Sequence, residues 1–268
     1  MPELPEVETT VRGLERVLKG RRIERVEARR ADLRRAFPED LGQRLTGARV
    51  TGLGRRAKYG LIHTDRDDTM IFHLGMSGSW RINHSKVEKH DHLLLETDDG
   101  KRLALNDPRR FGSVDLVATG ELDEWPAFEA LGPEPFDLDA LELQRRLRGR
   151  TAAIKLLLGD QRIVAGLGNI YVCEALYRAG IHPKRASGSV SLDRLKRLVK
   201  AIHEVLTEAI EAGGSTLRDF ISPDGELGYF SKTFFVYDRE GRPCRCAGTV
   251  RRIVQGGRST FYCPACQK

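Results

Sequence analysis

No apolar run in this 268-residue chain is long enough to cross a bilayer. That excludes a helical membrane protein, because a crossing helix needs about 20 consecutive apolar residues. The first twenty residues also lack the basic-then-apolar order of a secretory signal, so the expected location is cytoplasmic. There is no internal repeat and no low-complexity tract, which leaves neither a repeat array nor a disordered scaffold as the architecture. Cysteine is scarce and unevenly placed, four of the five falling within the last 25 residues. Acidic excess is absent as well: Lys and Arg number 45 against 38 Asp and Glu, a net charge of +7 that suggests a polyanionic partner. Residues 236–268 hold seven basic side chains against two acids and so carry five of those seven charges.

With 31% charged and 40% hydrophobic residues, the chain is a globular protein long enough for two domains. Leu4, Val7, Val11, Leu14 and Leu18 recur at helical spacing, Pro5 suits a first turn, Glu6 and Glu8 favour the positive end of the dipole, and Gly20 can close the helix. Short alternating runs follow, among them Arg22 to Arg29, Ala48 to Gly54, Met70 to Leu74 and His92 to Glu96, with Asp98-Asp99-Gly100 as a turn between two strands. A sandwich or barrel is the natural solution. From Trp125 to Asp139 the composition shifts to Pro, Gly and acids, as in an interdomain linker. Helical periodicity then covers Leu141 to Leu147, Ala152 to Leu158, Ile170 to Arg178 and Leu192 to Ala212, and a short Cys-bearing β unit ends the chain.

The opening Met1-Pro2-Glu3 is itself a candidate active site. A small second residue permits removal of Met1, which leaves a secondary amine at Pro2 beside the Glu3 carboxylate. An α-amino group of pKa about 7.7–8 is partly unprotonated near neutrality. Attack on an aldehyde-like sugar carbon gives a cationic iminium that promotes elimination, and Glu3 can move the protons. A helix start explains Pro5 and the apolar stripe, but not a proline at the first mature position followed by an acid.

Three further motifs need weighing. Gly52-Leu53-Gly54-Arg55-Arg56-Ala57 matches a dinucleotide fingerprint but runs into a second strand, not a helix, and is rejected; what survives is Lys58, an amine suited to phosphate contact or proton transfer. Cys244-Arg245-Cys246, sixteen residues, then Cys263-Pro264-Ala265-Cys266 predicts four thiolates on one zinc ion, although the first gap is one residue short. Gly166-Leu167-Gly168-Asn169-Ile170-Tyr171 places Asn169 as the expected N-cap of a helix whose amides face an anion, with Lys155 as a nearby cation. Cys173 is expected to be a buried thiol.

Together these stretches resemble the bacterial formamidopyrimidine-DNA glycosylases. The likeness is carried by Pro2 to Glu8, Arg56 to Tyr59, His73 to Gly78, Lys89 to His92, Asn106 to Gly112, Gly166 to Tyr171, Gly213 to Leu217 and Gly257 to Cys263, over the whole chain. It implies an α+β, multidomain fold: an N-terminal β-sandwich with a catalytic helix (1–125), a linker (126–139), a helix-two-turn-helix domain with a lesion-capping loop at Leu217 to Tyr229 (140–235), and a C-terminal zinc-finger β-hairpin (236–268). Double-stranded DNA would lie in the cleft between them, bound by a monomer. The implied activity is removal of oxidised purines, 8-oxoguanine and formamidopyrimidines, followed by strand cleavage on both sides of the abasic sugar. Pro2 would be the Schiff-base nucleophile and Glu3 the acid that opens the sugar. Lys58 would contact phosphate and donate a proton, and Arg258 would grip phosphates and serve the second elimination. His90, Arg150, Lys155 and Asn169 would hold the backbone, and Met76, Arg109 and Phe111 would fill the gap left by the flipped nucleotide. The one-residue gap between Cys244 and Cys246 departs from the family's longer spacer. Two alternatives stand beside this reading: an endonuclease VIII-like enzyme for oxidised pyrimidines, against which Leu4, Val7, Met76, Arg109 and Phe111 speak, and a non-catalytic damaged-DNA-binding protein, against which intact Pro2, Glu3 and Lys58 speak.

Overall fold

The computed structural model describes residues 2–84, 86–215 and 234–268. Helix α1, Leu4–Leu18, buries Leu4, Val7, Val11, Leu14 and Leu18 along one stripe, as apolar residues three and four apart must. Eight strands follow: β1 Ile23–Ala28, β2 Val50–Arg56, β3 Tyr59–Thr64, β4 Asp68–His73, β5 Ser79–Ile82, β6 Asp91–Thr97, β7 Arg102–Asn106 and β8 Ser113–Ala118, with the short helix α2, Leu41–Leu45, after the first. They pair antiparallel into two four-stranded sheets, ordered β1-β6-β7-β5 and β2-β3-β4-β8. The β2–β3 hairpin confirms that the glycine-rich run there leads into a strand. Alternation sets the faces: β6 buries Leu93 and Leu95 but leaves Leu94 and Glu96 partly exposed. Both sheets and α1 share one core, which includes Leu14, Ile23, Ile62, Phe72, Trp80, Leu95 and Leu105. Each such side chain contributes roughly 1.5–3 kcal/mol by leaving water.

The chain divides into two compact units, Met1–Glu129 with Ala212–Tyr229, and Ala130–Glu211 with Phe230–Lys268. The start of the expected linker is folded: α3, Pro126–Glu129, brings Phe128 to 5.4 Å from the ring of Tyr59 on β3, and Trp125 lies at 5.6 Å from the same ring.

The second unit holds α4 Ala140–Leu147, α5 Ile154–Leu158, α6 Asn169–Arg178 and α7 Leu192–Glu211. Asp139 caps α4 by accepting the Glu142 N–H at 2.7 Å. α7 buries Leu195, Leu198, Ile202, Val205, Leu206 and Ala209 and packs on α4 and α6. A hairpin of β9, Arg251–Gln255, and β10, Arg258–Tyr262, closes the chain. Its two-residue turn is Gly256-Gly257 at φ +56° and +72°, the backbone that a tight primed turn demands. Among the described residues no helix is long and apolar enough to cross a membrane.

Candidate active site

Pro2 and Glu3 are both buried at the N-terminal end of α1. A reciprocal capping box fixes them. The Glu3 side chain accepts from the Glu6 backbone, and the Glu6 carboxylate accepts the Glu3 N–H at 2.9 Å. The other Glu6 oxygen accepts the N–H and the hydroxyl of Ser215 at 2.8 and 2.7 Å, joining residue 215 to the helix start. One turn on, Glu8 pairs with Arg55 at 3.0 Å, and Arg55 donates to the Ala57 carbonyl at 2.9 Å. Ala57 turns the chain between β2 and β3 at φ +52°, and the next residue is Lys58, only 7% exposed. Helix α1, which follows Pro2 and Glu3, is thus tied by the Glu8–Arg55 ion pair to the turn that carries buried Lys58.

His73 ends β4 opposite Tyr59. Burial first, and then the charges of Lys58, Arg34 and Arg35, push its imidazole down to about 4. It is therefore neutral at pH 7, and its Nδ1 accepts the Gly75 N–H at 3.0 Å. This sets the turn that holds Met76. Gly75 sits at φ +61°, and a Cβ there would lie 2.3 Å from the Phe111 carbonyl carbon, so the Met76 turn and the loop after β7 are in direct contact.

Buried Asp107 locks these two loops together. It accepts the Ser77 hydroxyl at 2.7 Å and the Gly112 N–H at 2.8 Å, the Arg109 N–H reaches Ser77 Oγ at 3.2 Å, and His92 Nε2 donates to the Asp107 carbonyl at 3.0 Å. On this fixed base Phe111 is 44% exposed, with the Arg109 guanidinium 5.2 Å from its ring centre. His90 is half-buried nearby, its ring 6.2 Å from that of His92.

In the second unit the four terminal thiols converge, all Sγ atoms lying within 4.8 Å of one another. Arg258 stands exposed immediately after the hairpin turn. Asn169 donates Nδ2 to the carbonyl of Ser259, the residue after Arg258, at 2.8 Å. Lys155 lies buried in α5, and Arg150 is exposed with its Nε on the Arg146 carbonyl.

Residues 1–114 match the formamidopyrimidine-DNA glycosylase N-terminal domain, residues 131–221 the H2TH domain of the same proteins, and residues 243–268 a zinc finger found in FPG and IleRS. The chain belongs to the formamidopyrimidine-DNA glycosylase family. It is 70% identical over 270 aligned positions to a formamidopyrimidine-DNA glycosylase of Novosphingobium aromaticivorans and 66% identical to one of Rhizorhabdus wittichii, with 100% of each chain covered. Among solved structures it is similar to Lactococcus lactis Fpg in complex with DNA containing an abasic site (TM-score 0.92, 35% identity), and to the same enzyme with N7-benzyl-Fapy-dG DNA (0.92, 36%), again over 100% of both chains.

The glycosylase family's zinc finger needs four sulfurs around one ion, and the geometry here supplies them. Cys244 and Cys266, and Cys246 and Cys263, are each 3.6 Å apart between sulfurs. A tetrahedron with Zn–S bonds of about 2.3 Å has edges of roughly 3.8 Å. Cys244, Cys246, Cys263 and Cys266 therefore form a structural zinc site despite the shortened first gap. Cys173, 1% exposed, is a core thiol packed behind them.

One expectation is corrected. Asn169 is not the N-cap of α6 but its first helical residue; Gly168 occupies the cap, and the Asn169 side chain reaches across to donate Nδ2 to the Ser259 carbonyl. The expected lesion-capping loop, Leu217 to Tyr229, lies outside the described residues. Sequence reasoning also misses two organising acids. It gives Glu6 only a dipole role, although the Glu3-x-x-Glu6 spacing is a capping-box signal. Glu174 on α6, fully buried, accepts the N–H groups of Phe235, Val236 and Tyr237 at 3.0, 3.0 and 2.8 Å, and nothing local in the sequence announces it.

Proposed function

We propose that this chain is a bifunctional base-excision repair enzyme that removes oxidised purines from duplex DNA and then cleaves the strand at the abasic site through a Schiff base on Pro2. The observation that carries the reading is the buried Pro2-Glu3 pair, locked by Glu6 and linked through Glu8 and Arg55 to the turn of Lys58. The DNA-bound Lactococcus relatives, with an abasic site or a benzylated formamidopyrimidine, support the substrate class.

With Met1 removed, the Pro2 nitrogen forms a bond to the sugar C1′ as the bond from C1′ to the damaged base breaks, and the base leaves with a proton. Glu3 protonates the ring oxygen, the sugar opens and C1′ becomes an iminium. Loss of a proton from C2′ then expels the 3′ phosphate, and loss of one from C4′ expels the 5′ phosphate. Lys58 donates to a departing phosphate and Arg258 holds the other for the second elimination. Water releases the sugar fragment and regenerates the amine. A base within the stack cannot be reached, so the nucleotide must flip at a cost of a few kcal/mol. Phe111, Met76 and Arg109 fill the gap it leaves, and His90, Arg150, Lys155 and Asn169 position the backbone without reading sequence. In this reading residues 1–125 catalyse, 126–139 link, 140–235 and 236–268 grip the duplex, and the protein acts as a cytoplasmic monomer on the nucleoid. The zinc ion holds the finger that presents Arg258.

Borohydride trapping on matched duplexes tests the reading. An oxidised-purine duplex should yield a covalent adduct at Pro2 in far greater amount than an oxidised-pyrimidine duplex, and a residue added before Pro2 should abolish it. An adduct that maps to a lysine overturns the nucleophile; preferential trapping on the pyrimidine lesion makes the enzyme endonuclease VIII-like.

A further inference from the structure

The two knuckles of the zinc finger are built unequally. In the second, Cys263-Pro264-Ala265-Cys266, the leading sulfur accepts two backbone N–H groups, those of Ala265 and Cys266. In the first, Cys244-Arg245-Cys246, one spacer residue shorter, the backbone N–H of Cys246 faces the leading sulfur. A zinc-bound thiolate that loses a hydrogen bond keeps more charge on sulfur but is oriented less firmly, and such outer partners are needed for full metal affinity.

A side chain from another element reaches the same sulfur. The Tyr177 hydroxyl, in the last turn of α6, lies 3.1 Å from Cys244 Sγ. A thiolate on zinc has no proton to give, so the hydroxyl must be the donor. The surroundings hold the ring in that place. Tyr177 stacks on Phe235 with ring centres 5.5 Å apart and planes 23° apart. Arg245, the single spacer residue of the short knuckle, lies 3.9 Å from the Phe235 ring centre on its own account. Glu174, one helical turn before Tyr177, anchors Phe235 by its backbone N–H at 3.0 Å. The short gap is also sterically tuned. A Cβ at Gly248 would come within 3.2 Å of both Cys246 Sγ and Cys263 Sγ, so the chain after the knuckle passes close to the sulfurs only because that residue is glycine.

We propose that Tyr177 is a positioning residue of the zinc site: its hydroxyl donates to the Cys244 thiolate and makes good the one-residue gap, while Arg245 and Phe235 clamp its ring against the knuckle. The helix that begins at Asn169 thereby holds the metal at its other end, and the finger and the helical layer form one metal-dependent unit.

The test is Tyr177→Phe in the full-length zinc-loaded protein, which keeps the ring stack and removes only the donor. Competition with a zinc chelator should show affinity weakened roughly 10- to 100-fold, the range for loss of a hydrogen bond to a metal ligand. In the cobalt-substituted protein the sulfur-to-metal charge-transfer band should move to lower energy, a signature that a purely structural ring would not produce. Affinity within twofold of the parent together with an unmoved band overturns the proposal. A second chain, with one glycine inserted between Arg245 and Cys246, separates compensation from general support: there Tyr177→Phe should cost less than threefold, and an equal loss in both backgrounds overturns the claim that Tyr177 makes good the short gap.

Discussion

Glu6 in the sandwich unit and Glu174 in the helical unit are both buried acids on helices, and each gathers N–H groups from chain far away in sequence. They differ in where on the helix they stand. Glu6 lies in the first turn of α1, where unpaired N–H groups and the dipole favour negative charge, and one of its partners is Glu3, three residues back. Glu174 lies in the middle of α6, where burial pushes its carboxyl up and the amides of residues 235–237 with Arg178 pull the other way. In the proposed reading the first acid shapes the reacting centre, and the second fastens the segment that leads into the zinc finger.

This comparison can be broken by removing each acid. Glu174→Ala strands up to three N–H groups in the interior, each at roughly 1–3 kcal/mol, and we expect a loss of about 3–5 kcal/mol in urea unfolding together with easier zinc release. Glu6→Ala removes bonds to Glu3 and Ser215 and should cost about 1–3 kcal/mol. Its larger effect is on rate, because a misplaced Pro2-Glu3 pair lowers the yield of trapped adduct by on the order of 10²-fold. Equal losses of stability and rate in the two variants would show that the acids do not divide these tasks.

The same contrast explains what could be read in advance. The sandwich site is local: Pro2 to Glu8 is one contiguous stretch, the apolar stripe of α1 is periodic, and the glycines around Met76 and Phe111 mark loops. The zinc ligands are legible because two closely spaced cysteine pairs are the usual pattern of a four-thiolate zinc site. Asn169 misleads because local propensity prefers a cap, whereas the observed bond runs to Ser259, 90 residues away. Glu174, Tyr177 and Phe235 form a cluster only after α6 and the finger have packed, and no periodicity in their own segments records that.

His73 sharpens the comparison from the sandwich side. Its ordinary pKa of about 6.5 falls to about 4 on folding, so between those values the unfolded chain binds a proton that the folded chain refuses. Stability is fully present above pH 6.5 and is lost as pH falls toward 4, by about 2 kcal/mol at pH 5. His73→Asn keeps an acceptor for the Gly75 N–H but cannot titrate, and should flatten this part of the stability profile. If urea midpoints of parent and variant fall equally from pH 7 to 5, another group carries the acid sensitivity.

The smallest expected effect on stability belongs to an exposed element of the site. Phe111 is 44% exposed and, among the described residues, lies outside the sandwich core, so Phe111→Ala should change stability by less than about 1 kcal/mol. Arg109→Ala should do the same, because its exposed side chain lies over that ring while its backbone N–H keeps the bond to Ser77. Both should nevertheless impair excision of 8-oxoguanine opposite cytosine. A ring stacked on a base is worth roughly 1–3 kcal/mol, which corresponds to about 5- to 150-fold in rate. Cleavage at a preformed abasic site has no damaged base to extrude and should be largely spared, while discrimination by the opposite base should weaken as the Arg109 donors are lost. Single-turnover rates on the two substrates decide the matter. Equal losses on both at unchanged stability would mean that Phe111 and Arg109 serve general binding, and that the rigid base built from Asp107, Ser77 and Gly112 presents an ordinary contact loop.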